Sequence, residues 1–138
     1  MTIILEYRLI FKLQIIVFYM ANGLDKQVEA FFKQSVFQID SRLRAEKIQK
    51  DTEMEARVET FGSKDNYAVL INTKSSGTEA KTIQIYTKGG VSDVKVAIEL
   101  ANKISAYLHE RGNHYCPINL DHLPREDKVK LGISNPLA

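Results

Sequence analysis

The sequence predicts a single α+β domain: a helix, three antiparallel strands and a second helix (αβββα), then a tail with one short helix. Three observations predict it. Apolar residues recur at three- and four-residue steps from Leu24 to Leu43, and again from Val94 to Leu108. Between these stretches, over 53–87, the period changes to two. A chain of 138 residues, 44% hydrophobic and 26% charged, is enough for one core but not for two.

The first 19 residues are expected to be an optional apolar extension ahead of a core domain over 20–112. Glu6, Arg8 and Lys12 interrupt the apolar run, and its uninterrupted part is only Ile15 to Ala21. A bilayer span needs about 20 apolar residues, so no membrane association is expected. Two further readings stay open: an extra edge strand, or a secretory signal with Arg8 and Lys12 as its charged region and Ala21-Asn22-Gly23 as a cleavage site. Otherwise "MANGLDKQVEAF" from Met20 reads as an ordinary protein start.

Asn22 is a suitable N-cap for the first helix, and Asp25 sits where an acid favours the helix dipole. Leu24, Val28, Phe32, Val36, Ile39 and Leu43 then make an apolar stripe reaching towards Gln49, widened by Phe31 and Phe37. In "EMEARVETF", Met54, Ala56, Val58 and Thr60 alternate with Glu53, Glu55, Arg57 and Glu59, which predicts a half-buried strand. "GSKDN" is a turn cluster. "YAVLINT" (67–73) is apolar on both faces and is expected to be central. After the polar loop 74–81, "TIQIYT" (82–87) is the third strand, with Ile83 and Ile85 inward and Gln84 and Tyr86 outward.

Gly89 and Gly90 follow, and they raise the question of a phosphate cradle. Such a loop needs Gly-x-x-x-x-Gly-Lys-Ser/Thr after a parallel strand, and a dinucleotide fingerprint needs a third glycine. Here Lys88 precedes the glycines, so they read as a strand-to-helix bend. Ser92 is the expected N-cap of a helix over 93–111, with Val94, Ala97, Ile98, Ala101, Ile104 and Leu108 along its seam and Gly112 as its C-cap. In the tail, 113–138, Pro124 opens a short helix over 125–131 that Gly132 ends.

The near balance of 19 basic and 17 acidic residues excludes binding to nucleic acid by bulk charge, while leaving room for a local basic face. The single cysteine, Cys116, rules out an internal disulfide, and no Asn-x-Ser/Thr acceptor occurs. Both features suit a reducing compartment, so a cytoplasmic location is expected. His109, His114, Cys116 and His122 cluster in "HERGNHYCPINLDH", with Asp121 beside them. These are zinc-ligand residue types, but the spacing matches no paired-ligand pattern, and packing or surface roles are the expected ones. A Cys116–His nucleophile pair lacks an activating helix N-terminus. Glu53, Glu55 and Glu59 read as the solvent side of a strand, and no nucleophile elbow occurs. No catalytic, cofactor or metal residues are therefore expected.

Possible RNA contacts are Arg42, Arg44, Lys47 and Lys50 at the end of the first helix, with Lys81, Tyr86 and Lys88 flanking the third strand. The same lysines at loop tips also keep a sheet soluble and discourage edge pairing.

The αβββα order is shared by several RNA-associated families. The chain resembles the Alu-binding subunits of the signal recognition particle at Tyr86 and "DVK", Asp93 to Lys95. It is similar to ribosome hibernation factors over "DVKVAI" and "LINTKSSG". Double-stranded-RNA-binding domains share the element order, although only Lys95 stands where they carry a lysine cluster. The resemblance implies a possible RNA-associated role and carries over no functional residue.

The expected function is a non-enzymatic interaction subunit or adaptor, in a homodimer or small complex, because a three-stranded sheet with both helices on one face leaves its other face and its edges to be covered. An RNA- or ribosome-associated factor is the alternative, and a small zinc or thiol enzyme stands third.

Overall fold

The computed structural model describes residues 2–74, 82–85 and 90–133, with side chains described at 23, 25–74 and 90–133. The elements run α1 (Thr2–Ala45), β1 (Glu53–Thr60), β2 (Tyr67–Lys74), β3 (Thr82–Ile85), α2 (Val94–Gly112), β4 (Ile118–Asn119) and α3 (Arg125–Lys130). This is the expected mixed α+β fold with helix, sheet and helix in that order.

α1 is continuous across Met20 and Asn22, so Asn22 is not an N-cap. No proline precedes Pro117, and one asparagine inside a helix costs under about 1 kcal/mol, too little to break the backbone. Farther along, Val28, Ser35 and Ile39 are buried, with Phe31, Phe32 and Leu43 half-buried against the core. Phe37 does not widen this stripe: it is 76% exposed. It lies nine residues past Val28, two and a half turns, which points it away from the sheet.

The helix stops at Ala45 rather than near Gln49. Ile48 N–H bonds Leu43 O at 3.0 Å, Lys47 N–H bonds Arg44 O at 3.1 Å, and Lys47 sits at φ 51°. This is a Schellman closure with Lys47 in the left-handed position usually given to glycine. Leu43 and Ile48, the two apolar residues it brings together, both pack on the core.

The strand order is β3-β2-β1-β4. β1 and β2 are antiparallel with Ala56 opposite Ile71 and Val58 opposite Val69, and β2 pairs antiparallel with β3 through Ile71–Ile83 and Val69–Ile85. The sheet is therefore not purely antiparallel and not three-stranded: β4 runs parallel to β1, with Ile118 opposite Ala56. Before it, Met54 N–H donates to Tyr115 O (2.7 Å) and Ala56 N–H to Pro117 O (2.9 Å), so the chain after Gly112 lies along the β1 edge. Two residues are too few to show a period in sequence.

Met54, Ala56, Val58, Val69, Ile71 and Thr73 are buried on one face of the sheet, where α2 covers β1, β2 and β4 and α1 lies against α2 and β3. The two helices run parallel: Glu29 meets Lys103, Phe32 meets Tyr107, and Asp40 meets Tyr107 and Arg111. α2 buries a wider stripe than its predicted seam, adding Val96 and Leu100.

The ends of α2 each shift by one residue. Asp93, not Ser92, is the N-cap, its carboxylate accepting from Lys95 N–H at 2.9 Å. Asn113, not Gly112, takes the left-handed cap position at φ 55°. Gly112 lies inside the helix, where a Cβ would collide with the imidazole of His114. α3 forms behind Pro124 as expected and ends at Gly132, φ 75°. Tyr67 Oη donates to Asp127 Oδ2 at 2.7 Å, and Leu123 is buried, so this segment is held on the domain.

Candidate interaction surfaces

At Gly90 the strand-to-helix bend has φ 74°, and a Cβ would overlap Oδ1 of Asn66, whose Nδ2 donates to Phe61 O at 2.7 Å. The next residue, Val91, accepts from Tyr67 N–H at 2.8 Å. Glycine is thus required by the β1–β2 turn packed against this bend, which supports the bend reading. Gly89 lies outside the described residues.

The histidine and cysteine cluster is dispersed by the fold. His114 is buried, its Nδ1 3.0 Å from Thr52 O, while His109 and His122 are exposed. Cys116 is buried, and burial pushes its thiol up to about 11; a hydrogen bond from Ser105 opposes this only in part. A protonated thiol at neutral pH is a poor nucleophile and ligand. Among the described residues no three His, Cys, Asp or Glu side chains are grouped to hold a metal.

The basic residues at the end of α1 do share one corner. Asp51 N–H donates to Gly112 O at 2.8 Å, bringing the C-terminal ends of α1 and α2 side by side. Arg42, Arg44, Lys47 and Lys50 are joined there by Arg111 of α2, which sequence spacing alone did not single out. Several are already engaged: Arg42 pairs with Glu46 at 3.6 Å, Arg44 Nε reaches Asp40 O at 3.4 Å, and Arg111 Nε reaches Asp40 Oδ1 at 3.0 Å. Tyr107 Oη donates to the same carboxylate at 2.8 Å; burial, then this bond, raises the tyrosine pKa. Cations in the last turns of two helices offset the negative ends of both dipoles, which accounts for much of the cluster without a ligand. Lys81, Tyr86 and Lys88 lie outside the described residues.

Further up the helix pair, Lys103 pairs with Glu29 and stands 5.3 Å from the Phe32 ring centroid, so that Glu29 is held below the usual carboxylate range, chiefly by the Lys103 hydrogen bond. Beside this pair a shallow groove of about 600 Å³ carries both signs of charge, Asp25, Glu29 and Glu99 with Lys26 and Lys103.

The sheet face away from the helices carries Glu53, Glu55, Arg57 and Glu59 on β1, opposite Lys74, Asn72, Leu70 and Ala68 on β2, with Asn119 beside Arg57 on β4. Arg57 makes one long contact, Nη2 to Glu55 Oε1 at 3.7 Å, and its Nε is buried with no hydrogen-bond partner among the described residues. Alternation in the sequence placed the charged residues on this side; it did not show that Leu70 and Ala68 lie beside Arg57 and Glu59, because pairing register is a tertiary property.

No family model, curated protein or solved structure matches the chain. Among the described residues no helix is long and apolar enough to cross a membrane.

Proposed function

We propose that the protein is a non-enzymatic interaction subunit, cytoplasmic and part of a small complex, that docks through the open face of its sheet. One observation carries the reading: both long helices lie on the same side, leaving a face on which half-buried Leu70 adjoins Arg57, whose Nε has no hydrogen-bond partner among the described residues. The protonated, buried Cys116 further supports a non-catalytic role. Light scattering of the full chain over a concentration series tests it. Assembly that Leu70→Glu weakens, with the melting curve retained, is expected. A strict monomer at about 1 mM, with no stoichiometric partner co-purifying, overturns it.

The RNA-associated alternative is favoured by the corner where Arg42, Arg44, Lys47 and Lys50 meet Arg111. If about four phosphates are neutralised there, affinity for single strands falls with salt at a slope of about −3. Arg44→Glu with Lys47→Glu then weakens binding alike for every sequence, since phosphate contacts carry no sequence information. Tyr86→Ala costs about 1–3 kcal/mol if the ring stacks a base. The absence of salt-sensitive binding to single- or double-stranded RNA at low ionic strength removes this reading.

A further inference from the structure

Charge on the open sheet face restricts what can cover it. Among the described residues the face carries Glu53, Glu55 and Glu59 with Arg57 and Lys74, so its occupant must present both signs of charge in return. It is also too charged to lie on lipid tails. What distinguishes it is that acid and base alternate at two-residue steps along one strand, Glu55, Arg57 and Glu59, with the Nε of Arg57 lacking an acceptor among the described residues.

Resting on the proposal that this face is the docking surface, we infer that its occupant is a second copy of the chain, related by a two-fold axis that crosses the strands between Arg57 and Glu59. A two-fold in the plane between two stacked faces reverses strand direction and keeps β1 over β1. Arg57 of each protomer then faces Glu59 of the other, and Leu70 faces Ala68, because Arg57 is opposite Leu70 and Glu59 opposite Ala68 in the register. Each contact occurs twice, as an isologous interface requires. The guanidinium gains a carboxylate acceptor beside half-buried Leu70, in a setting drier than an open surface, where a charged hydrogen bond is stronger.

The size of the face sets the strength. Eight residues at about 3.3 Å rise and three to four strands at about 4.8 Å spacing give a patch of about 26 by 14–19 Å. That is below the area of standard interfaces, so the dimer is weak and reversible and forms with rising concentration.

The test is a charge exchange on the full chain, followed by sedimentation velocity over a concentration series reaching about 1 mM, high enough to populate a dimer weaker than one of standard size. Arg57→Glu places acids against acids, and Glu59→Arg places bases against bases. Each variant alone is expected to dimerise at least about tenfold more weakly than wild type, since like charges facing one another are costly. An equimolar mixture restores both pairs, and heterodimer at near wild-type affinity is expected. Far-ultraviolet circular dichroism checks that each variant is folded. If either is not, amide shifts of wild type on dilution serve instead, and they must concentrate at Arg57, Glu59, Ala68 and Leu70. Dilution shifts elsewhere, or variants that dimerise as wild type does, overturn the inference. A monomeric wild type that instead binds a different protein in a manner sensitive to Leu70→Glu also overturns it, while leaving the open-face reading in place. The docking reading fails separately, if Leu70→Glu changes no association at all.

Discussion

Replacing Gly112 with alanine puts a methyl group against the imidazole of His114. That ring has little room to move: His114 is 4% exposed and its Nδ1 lies 3.0 Å from Thr52 O. In an ordinary helix interior the change from glycine to alanine stabilises by about 1 kcal/mol. Here overpacking costs about 1–3 kcal/mol, and a buried hydrogen bond lost as the ring shifts costs about 1–2 kcal/mol more. The net effect expected is a loss of about 2 kcal/mol, or about 7 °C in Tm for a chain of this length. Urea unfolding followed by circular dichroism measures it. The control is the double variant with His114→Ala: without the ring, the alanine at 112 regains its helical benefit, and the two substitutions couple by at least about 1 kcal/mol. If Gly112 were instead a C-cap in the left-handed region, the alanine would cost about the same with or without His114. A stable Gly112→Ala variant, or a coupling near zero, refutes the steric argument.

Four further outcomes follow from the same geometry. Gly90→Ala is expected to lose about 1–3 kcal/mol in urea unfolding, because φ 74° and the Asn66 side chain both oppose a Cβ; nucleotide binding abolished with stability unchanged would instead restore the phosphate-loop reading. Lys47→Gly is expected to raise stability by about 0.5–1 kcal/mol by relieving the left-handed lysine, and a fall in the urea midpoint would contradict the Schellman closure. The Cys116 thiol, normally near 9, stays protonated in the fold to about 11, so the unfolded chain releases its proton first; the stability it contributes is present below pH 9 and lost between about 9 and 11. Cys116→Ala should flatten that part of the pH–stability curve, and an unchanged slope refutes the assignment. A chain starting at Met20 is expected to fold cooperatively, since it keeps Val28, Ser35 and Ile39, which α1 buries in the core, and a molten product by near-ultraviolet circular dichroism would show that residues 1–19 are structural.

The elements built on long periodic patterns were legible in the sequence: the α2 seam, the alternation of Met54, Ala56 and Val58, and the Pro124–Gly132 limits of α3 all reflect the local repeat of helix or strand. The inward–outward partition of β1 followed for the same reason, and with it the charged side of the candidate surface. What required the fold is what depends on residues far apart in the chain. β4 exists because Met54 and Ala56 have donors that Tyr115 and Pro117 satisfy. Gly112 is glycine because of a histidine folded back over it, not because of its position after Arg111. Lys47 and Arg111 meet at one corner only because α1 and α2 run parallel. Arg57 and Leu70 become neighbours only once the register of β1 on β2 is set, and a register is fixed by burial of the opposite face rather than by any pattern within either strand.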